Sequence, residues 1–235
     1  MAKIDFNTLR STPAYPFSEG AHYLNLPVST LRAWCLGQSY QVRGRQRRFQ
    51  PLIRLDGLRS EGLSFLNLVE AHVLAALRRR HQVPLPKVRA ALDFVSKRLR
   101  VDRPLATASF ETNGVDLFVN ELDRLINVSQ DGQVEIASML RTHLRRVERD
   151  TKGLPIKLFP FTRKLPTDDA PAPVVIDPTL AFGRPVLAGT AVPTAILADR
   201  FKAGDTLQDL AGDYGTPAQA IEEAIRCELD RRQAA

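Results

Sequence analysis

The sequence predicts a mainly α-helical protein with small β elements, an α+β chain built in consecutive parts. An N-terminal winged helix-turn-helix leads, a middle hairpin-plus-helix region follows, and a small helix-turn-helix-like unit closes the chain. Three observations predict this. Two short helix patterns meet at Leu26-Pro27. Long apolar stripes at spacings of three and four run through the first half. Near the end, Gly183, Pro185, Gly189 and Pro193 crowd into eleven residues and lead into three short helix patterns.

Length and composition bound the reading. At 235 residues the chain is one large domain or two small ones. Hydrophobic content of 44% and charged content of 25% are ordinary for a globular protein. Nothing approaches about eighteen uninterrupted apolar residues, so no membrane span is expected. The start, MAKIDFNTLRSTPAYPF, has no apolar signal region, so a cytoplasmic protein is expected. Cys35 and Cys227 are far apart and suit a reducing compartment.

Charge is unevenly spread. Residues 1–103 hold 18 Lys/Arg against 7 Asp/Glu, a net of +11. Residues 104–168 are balanced, and residues 169–235 carry −4. A basic end points to an anionic partner, most often nucleic acid. The acidic end suggests a different task.

Each element has its own signal. Residues 1–17 read as a poorly ordered lead-in. Ser18 reads as the cap of a helix that Leu26-Pro27 stops, and Ser29 as the cap of a second helix holding Leu31 and Trp34. Ala21, Leu26 and Leu31 suit the crossing of such a pair, and Trp34 reads as core. RGRQRRFQPLIR, residues 43–54, reads as a wing with a basic tip. Ser64 starts a helix with Leu66, Val69, Val73, Ala76 and Leu77 on one face. A second helix places Val88, Ala91, Leu92, Val95 and Leu99 on one face. Asn113-Gly114 between β-prone runs predicts a hairpin. Residues 133–149 predict a helix striped by Ile136, Leu140, Leu144 and Val147. GLPIKLFPFTRK supplies a further strand.

LPTDDAPAP, residues 165–173, reads as a linker that lets the flanking parts move independently. The domains expected are therefore 1–103, a 104–164 extension suited to dimerisation, and 174–235. In the last part Val174-Val175-Ile176 is a short strand. Thr194 caps a helix, Gly204 ends it, Asp205 caps the next and Gly215 ends that. Thr216-Pro217 opens the last helix.

The candidate DNA-binding residues are Ser29, Thr30, Arg32, Arg43, Arg45, Arg47 and Arg48. Residues at the start of the second helix of such a unit reach base edges, and arginines in a wing clamp phosphates. The last helix instead carries Glu222, Glu223, Glu228 and Asp230, which would repel DNA. Glu222 and Glu223 are the candidate partner-binding residues. His22, His72, His81 and His143 show no metal-ligand spacing, and neither GxxxxGK[ST] nor GxSxG occurs. No enzyme, metal or cofactor is expected.

The last sixty or so residues resemble a small bacterial domain with the pattern G-x-P-hydrophobic-x-G-T-R-hydrophobic-P, then a spaced Gly and Tyr, then a final helix. Gly183, Pro185, Gly189, Thr190, Val192, Pro193, Gly204 and Tyr214 fit that pattern. The family's arginine after the threonine is Ala191 here, so this chain does without it. The N-terminal part resembles the MerR-type domain that precedes this module in VapB-like type II antitoxins. The resemblance implies an antitoxin that binds double-stranded operator DNA, represses its own operon and neutralises a PIN-like ribonuclease toxin. A homodimer is expected, because one helix-turn-helix reads only a half-site. The alternative is a MerR-like transcription regulator that has no toxin partner and responds to an effector.

Overall fold

A computed structural model describes residues 5–42, 44–58, 62–78, 83–163, 167 and 169–229. Expectations that fall on Arg43, His81, Asp230 and residues 165, 166 and 168 of the expected linker lie outside the described residues.

The lead-in contains a helix, α1 (Phe6–Ser11). Its anchor is Arg10, which is buried and donates to Asp150 at 3.2 Å and to the Pro155 carbonyl at 3.4 Å. Six residues show no periodicity, and these partners lie far along the chain, so local sequence could not reveal them.

The helix-turn-helix is α2 (Phe17–Tyr23) and α3 (Val28–Leu36). Both begin one residue after a proline, Pro16 and Pro27, rather than at Ser18 and Ser29. Proline's fixed φ already suits a helix start. Ser29 is thus the second residue of its helix, not its cap. Ala21, Leu26, Leu31 and Trp34 are all buried, as the crossing demands. Gly20 sits where α2 meets the core, and a Cβ there would lie 2.7 Å from Leu63 Cδ1.

The wing is an antiparallel hairpin, β1 (Gln38–Val42) and β2 (Arg45–Phe49). Next come α4 (Phe65–Arg78) and α5 (Leu85–Leu99). Ser64 starts α4 as expected: its hydroxyl accepts from Asn67 N at 3.1 Å, and Asn67 Oδ1 accepts from Ser64 N at 3.3 Å. Val69, Val73, Ala76 and Leu77 of α4 and Val88, Ala91, Leu92 and Val95 of α5 are buried.

The hairpin expected at Asn113-Gly114 does not form. Residues 110–114 make a π-helical turn that runs into α6 (Val115–Ile126). Phe110, Val115, Phe118, Val119 and Leu122 are all buried, and their spacing is helical. Burial of that stripe outweighed a two-residue turn signal. Helix α7 (Gln130–Leu144) follows, with Ser129 as its cap. It stops short of the predicted end, because Val147 and Arg149 belong to β3 (Val147–Arg149), which pairs with β4 (Pro155–Leu158). The middle region does hold a hairpin, placed after its helices.

The C-terminal part adds β5 (Val174–Ile176) and β6 (Pro185–Leu187), then α8 (Thr194–Ala203), α9 (Leu207–Tyr214) and α10 (Ala218–Leu229). Gly204 and Gly215 adopt left-handed φ at the ends of α8 and α9, as predicted. Thr206, not Asp205, caps α9, in a capping box with Asp209. Thr194 opens α8, but its hydroxyl contacts Glu228 and the Pro185 carbonyl instead.

The four strands form one antiparallel sheet in the order β3-β4-β5-β6. Leu158 pairs with Ile176, which joins the middle region to the C-terminal unit. One hydrophobic core gathers residues from Tyr15 to Ile176, and a second gathers Val174, Leu187, Leu197, Leu210, Ile221 and Ile225. The described end of the connection between them is held in place. Arg146 donates to the Pro171 carbonyl at 3.0 Å and also to that of Ala170, and its guanidinium lies 4.5 Å over the Phe161 ring. The expectation of independently moving parts is therefore corrected: strands on both sides of the linker share a sheet.

Candidate nucleic-acid interface

Helix α3 presents the expected groove residues on its first turns. Ser29 and Arg32 are exposed and Thr30 is half-buried. The Arg32 guanidinium lies 5.3 Å over the Phe17 ring at the start of α2. That stacking pre-orders a long, exposed side chain. Trp34, one turn further, is buried and serves the core.

The wing supplies the charge. Arg45, Arg47 and Arg48 are exposed on β2. Among the described residues none of the three pairs with a carboxylate. An exposed guanidinium without an internal partner remains available to a phosphate. The antiparallel register sets Tyr40 opposite Arg47 and Ser39 opposite Arg48. Tyr40 is 42% exposed, an aromatic among arginines that composition alone did not single out. Arg43 lies outside the described residues.

The turn of the helix-turn-helix is tied to the rest of the molecule. Asn25 adopts a left-handed φ of 52° and donates to the Phe161 carbonyl at 2.8 Å. Phe161 packs against the buried rings of His72 and His143, at centroid distances of 5.6 and 5.0 Å. These histidines are part of the core.

The two candidate partner residues part company. Glu222 is exposed and accepts from Arg226 at 2.7 Å. Glu223 is 2% exposed and faces inward. It accepts from the Thr162 hydroxyl at 2.5 Å and from Arg163 Nε at 2.8 Å. Burial alone would raise its pKa, but the bonds from Arg163 and Thr162 outweigh that and hold it below the usual carboxylate range. Glu223 therefore clamps α10 to the chain after β4 and is not available to a partner. The sequence showed it beside Glu222 on one helix, but only the packing separates their faces.

The C-terminal turn carries an unforeseen feature. Ala181 and Phe182 have φ of 45° and 55°, and the Phe182 side chain is 96% exposed. The next residue, Gly183, has φ 78°, and a Cβ there would lie 2.5 Å from the Tyr15 hydroxyl. Arg184 pairs with Glu19 of α2. The turn is thus pinned to the helix-turn-helix while its aromatic ring points into solvent.

Residues 13–92 match the family described as "Putative DNA-binding HTH domain". Residues 174–226 match DUF433, described as a protein family of unknown function. The chain is 26% identical to "Putative antitoxin VapB45" of Mycobacterium tuberculosis, over 91% of this chain and 92% of that one. The chain is thus similar along its length to a relative named as an antitoxin, and its N-terminal part matches a helix-turn-helix family. It is also 25% identical to the uncharacterized protein Rv2308 of the same organism, over 95% of this chain and 93% of the relative. The crystal structure of Rv2018 from Mycobacterium tuberculosis superposes with a TM-score of 0.66 at 25% identity, covering 91% of this chain and 98% of that one. Both matched segments coincide with the basic and acidic ends. Among the described residues no helix is long and apolar enough to cross a membrane.

Proposed function

We propose that this protein is the antitoxin of a type II toxin-antitoxin pair. Its winged helix-turn-helix binds double-stranded operator DNA as a homodimer and represses its own operon. Its C-terminal unit occupies the basic groove of a PIN-like ribonuclease toxin. What carries the reading is the exposed wing arginines, which among the described residues pair with no carboxylate, together with exposed Ser29 and Arg32 on α3, in a chain similar over 91% of its length to a relative named as an antitoxin.

Two features support a protein partner at the other end. The net charge of −4 over residues 169–235 complements a groove that binds RNA, which favours encounter and selectivity. Phe182 offers an aromatic anchor in a backbone conformation that costs on the order of 1–3 kcal/mol and persists only where the surroundings hold it.

The test is co-expression of the full chain with the product of the neighbouring reading frame. Growth rescue and co-purification are expected. Glu222→Lys and Phe182→Gly should each reduce the co-purified toxin. Phe182→Gly should not lower the melting temperature, because the ring packs on nothing and glycine relieves the left-handed backbone. Absence of both rescue and co-purification would leave a MerR-like regulator that responds to an effector.

A further inference from the structure

We infer that one face of the wing, carrying Gln38, Tyr40, Arg45 and Arg47, is its DNA-contacting surface, with Tyr40 as a backbone-contacting residue, and that Arg48 stands off the DNA. The inference rests on the DNA-binding reading above and sharpens it. Side chains on a strand alternate between faces, and directly paired residues of an antiparallel hairpin share a face. The register pairs Gln38 with Phe49 and Tyr40 with Arg47. Arg45, two residues before Arg47, falls on that same face. Ser39, paired with Arg48, and Gln41, paired with Gln46, fall on the other.

What orients the two faces is Gln38. It lines a cleft with Ser29, Thr30 and Ala33 of α3, whose other wall is apolar and includes Leu74, Leu77 and Val88. The Gln38 face of the wing therefore continues the surface that holds the groove-reading residues, and the Arg48 face turns away from it. On the continuing face Tyr40 stands across from Arg47 and diagonally to Arg45, within reach of both side chains. A phenol between two guanidiniums suits a nucleic-acid backbone. The hydroxyl donates to a phosphate oxygen, the ring covers a sugar, and the cations neutralise the flanking phosphates. All of these side chains are exposed, so removing them takes nothing from the core.

The experiment uses the full chain, a duplex carrying the stretch upstream of its own reading frame, and a scrambled duplex of equal length. Affinity is measured as a function of salt, and melting curves confirm that each variant folds. Arg47→Ala should weaken binding to both duplexes roughly ten-fold or more and reduce the slope of log affinity against log salt by about 1.8, about 0.9 for the phosphate lost by each protomer of the dimer. Tyr40→Phe should weaken binding several-fold with the slope unchanged, because it removes a hydrogen bond and no charge. Arg48→Ala should leave affinity and slope as in the wild type. A loss for Arg48→Ala that equals or exceeds that for Arg47→Ala overturns the face assignment while DNA binding stands. A wild-type chain that binds neither duplex at low salt overturns the DNA-binding reading, and this inference with it.

Discussion

Glu70 lies on α4 within the main core, where its carboxylate accepts from Arg103 at 2.8 Å and from Asn67 at 3.3 Å. Burial dominates its titration and, despite Arg103, pushes its pKa up to about 7. A carboxyl whose folded pKa is raised binds its proton more tightly in the native state than in the unfolded chain. Stability from this group is therefore present below the ordinary glutamate pKa and is lost as pH rises through about 7. Glu70→Gln should remove that loss. Denaturant titrations across about pH 5 to 8 should show the variant gaining on the wild type by roughly 2–3 kcal/mol as pH rises. A constant difference over that range would mean that Glu70 stays ionised throughout. Cys35 shares this neighbourhood. Burial, reinforced by the charge of Glu70, pushes its thiol up to about 12, which makes it an inert core residue.

Among the elements, the amphipathic helices were the most legible. Leu140 and Leu144 on α7, Ala91 and Val95 on α5, and Ile221 and Ile225 on α10 all bury the stripes their spacing announced. Helix ends were less legible, because Ser, Thr, Asp and Pro compete for adjacent positions and only backbone geometry chooses. At α9 the choice fell on Thr206: its hydroxyl accepts from Asp209 N at 3.1 Å, while Asp209 accepts from Thr206 N at 3.1 Å. Asp205, the expected cap, instead accepts from Arg200 at 2.6 Å. Thr206→Ala should cost about 1 kcal/mol, the usual value of an N-cap, read as a lowered melting midpoint of the full chain. An unchanged midpoint would place the start of α9 outside the cooperative structure.

At the scale of the whole molecule the acidic end is built into the basic one. Strand β5 pairs with β4, Glu223 holds Thr162 and Arg163, and Asn25 in the helix-turn-helix holds Phe161. These bonds run in one continuous line from the turn of the helix-turn-helix to α10. Calorimetry of the full chain should therefore show one unfolding transition. Glu223→Ala should lower it, at a cost of about 1–3 kcal/mol, because the Thr162 hydroxyl is left buried without its acceptor. A separate early transition belonging to the C-terminal helices would restore the picture of independent units.

Local chemistry was enough to place most of this protein. The short helices around Leu26, the basic wing, the stripes of α4, α5 and α7, and the glycine-ended helices of the C-terminal unit are all set by spacing, charge or backbone freedom within a few residues. Likewise the candidate groove residues Ser29 and Arg32 could be named from their position after a turn. Contacts between distant residues decided the rest. Asn113-Gly114 became helix because the stripe from Phe110 to Leu122 had a core to enter. Glu223 turned inward because Arg163 and Thr162, sixty residues earlier, were waiting for it. The parts on either side of the expected linker came together because β4 and β5 met edge to edge. Periodicity reports which face of an element is apolar, but not which element it will meet, and that meeting fixes which charges remain on the surface to find a partner.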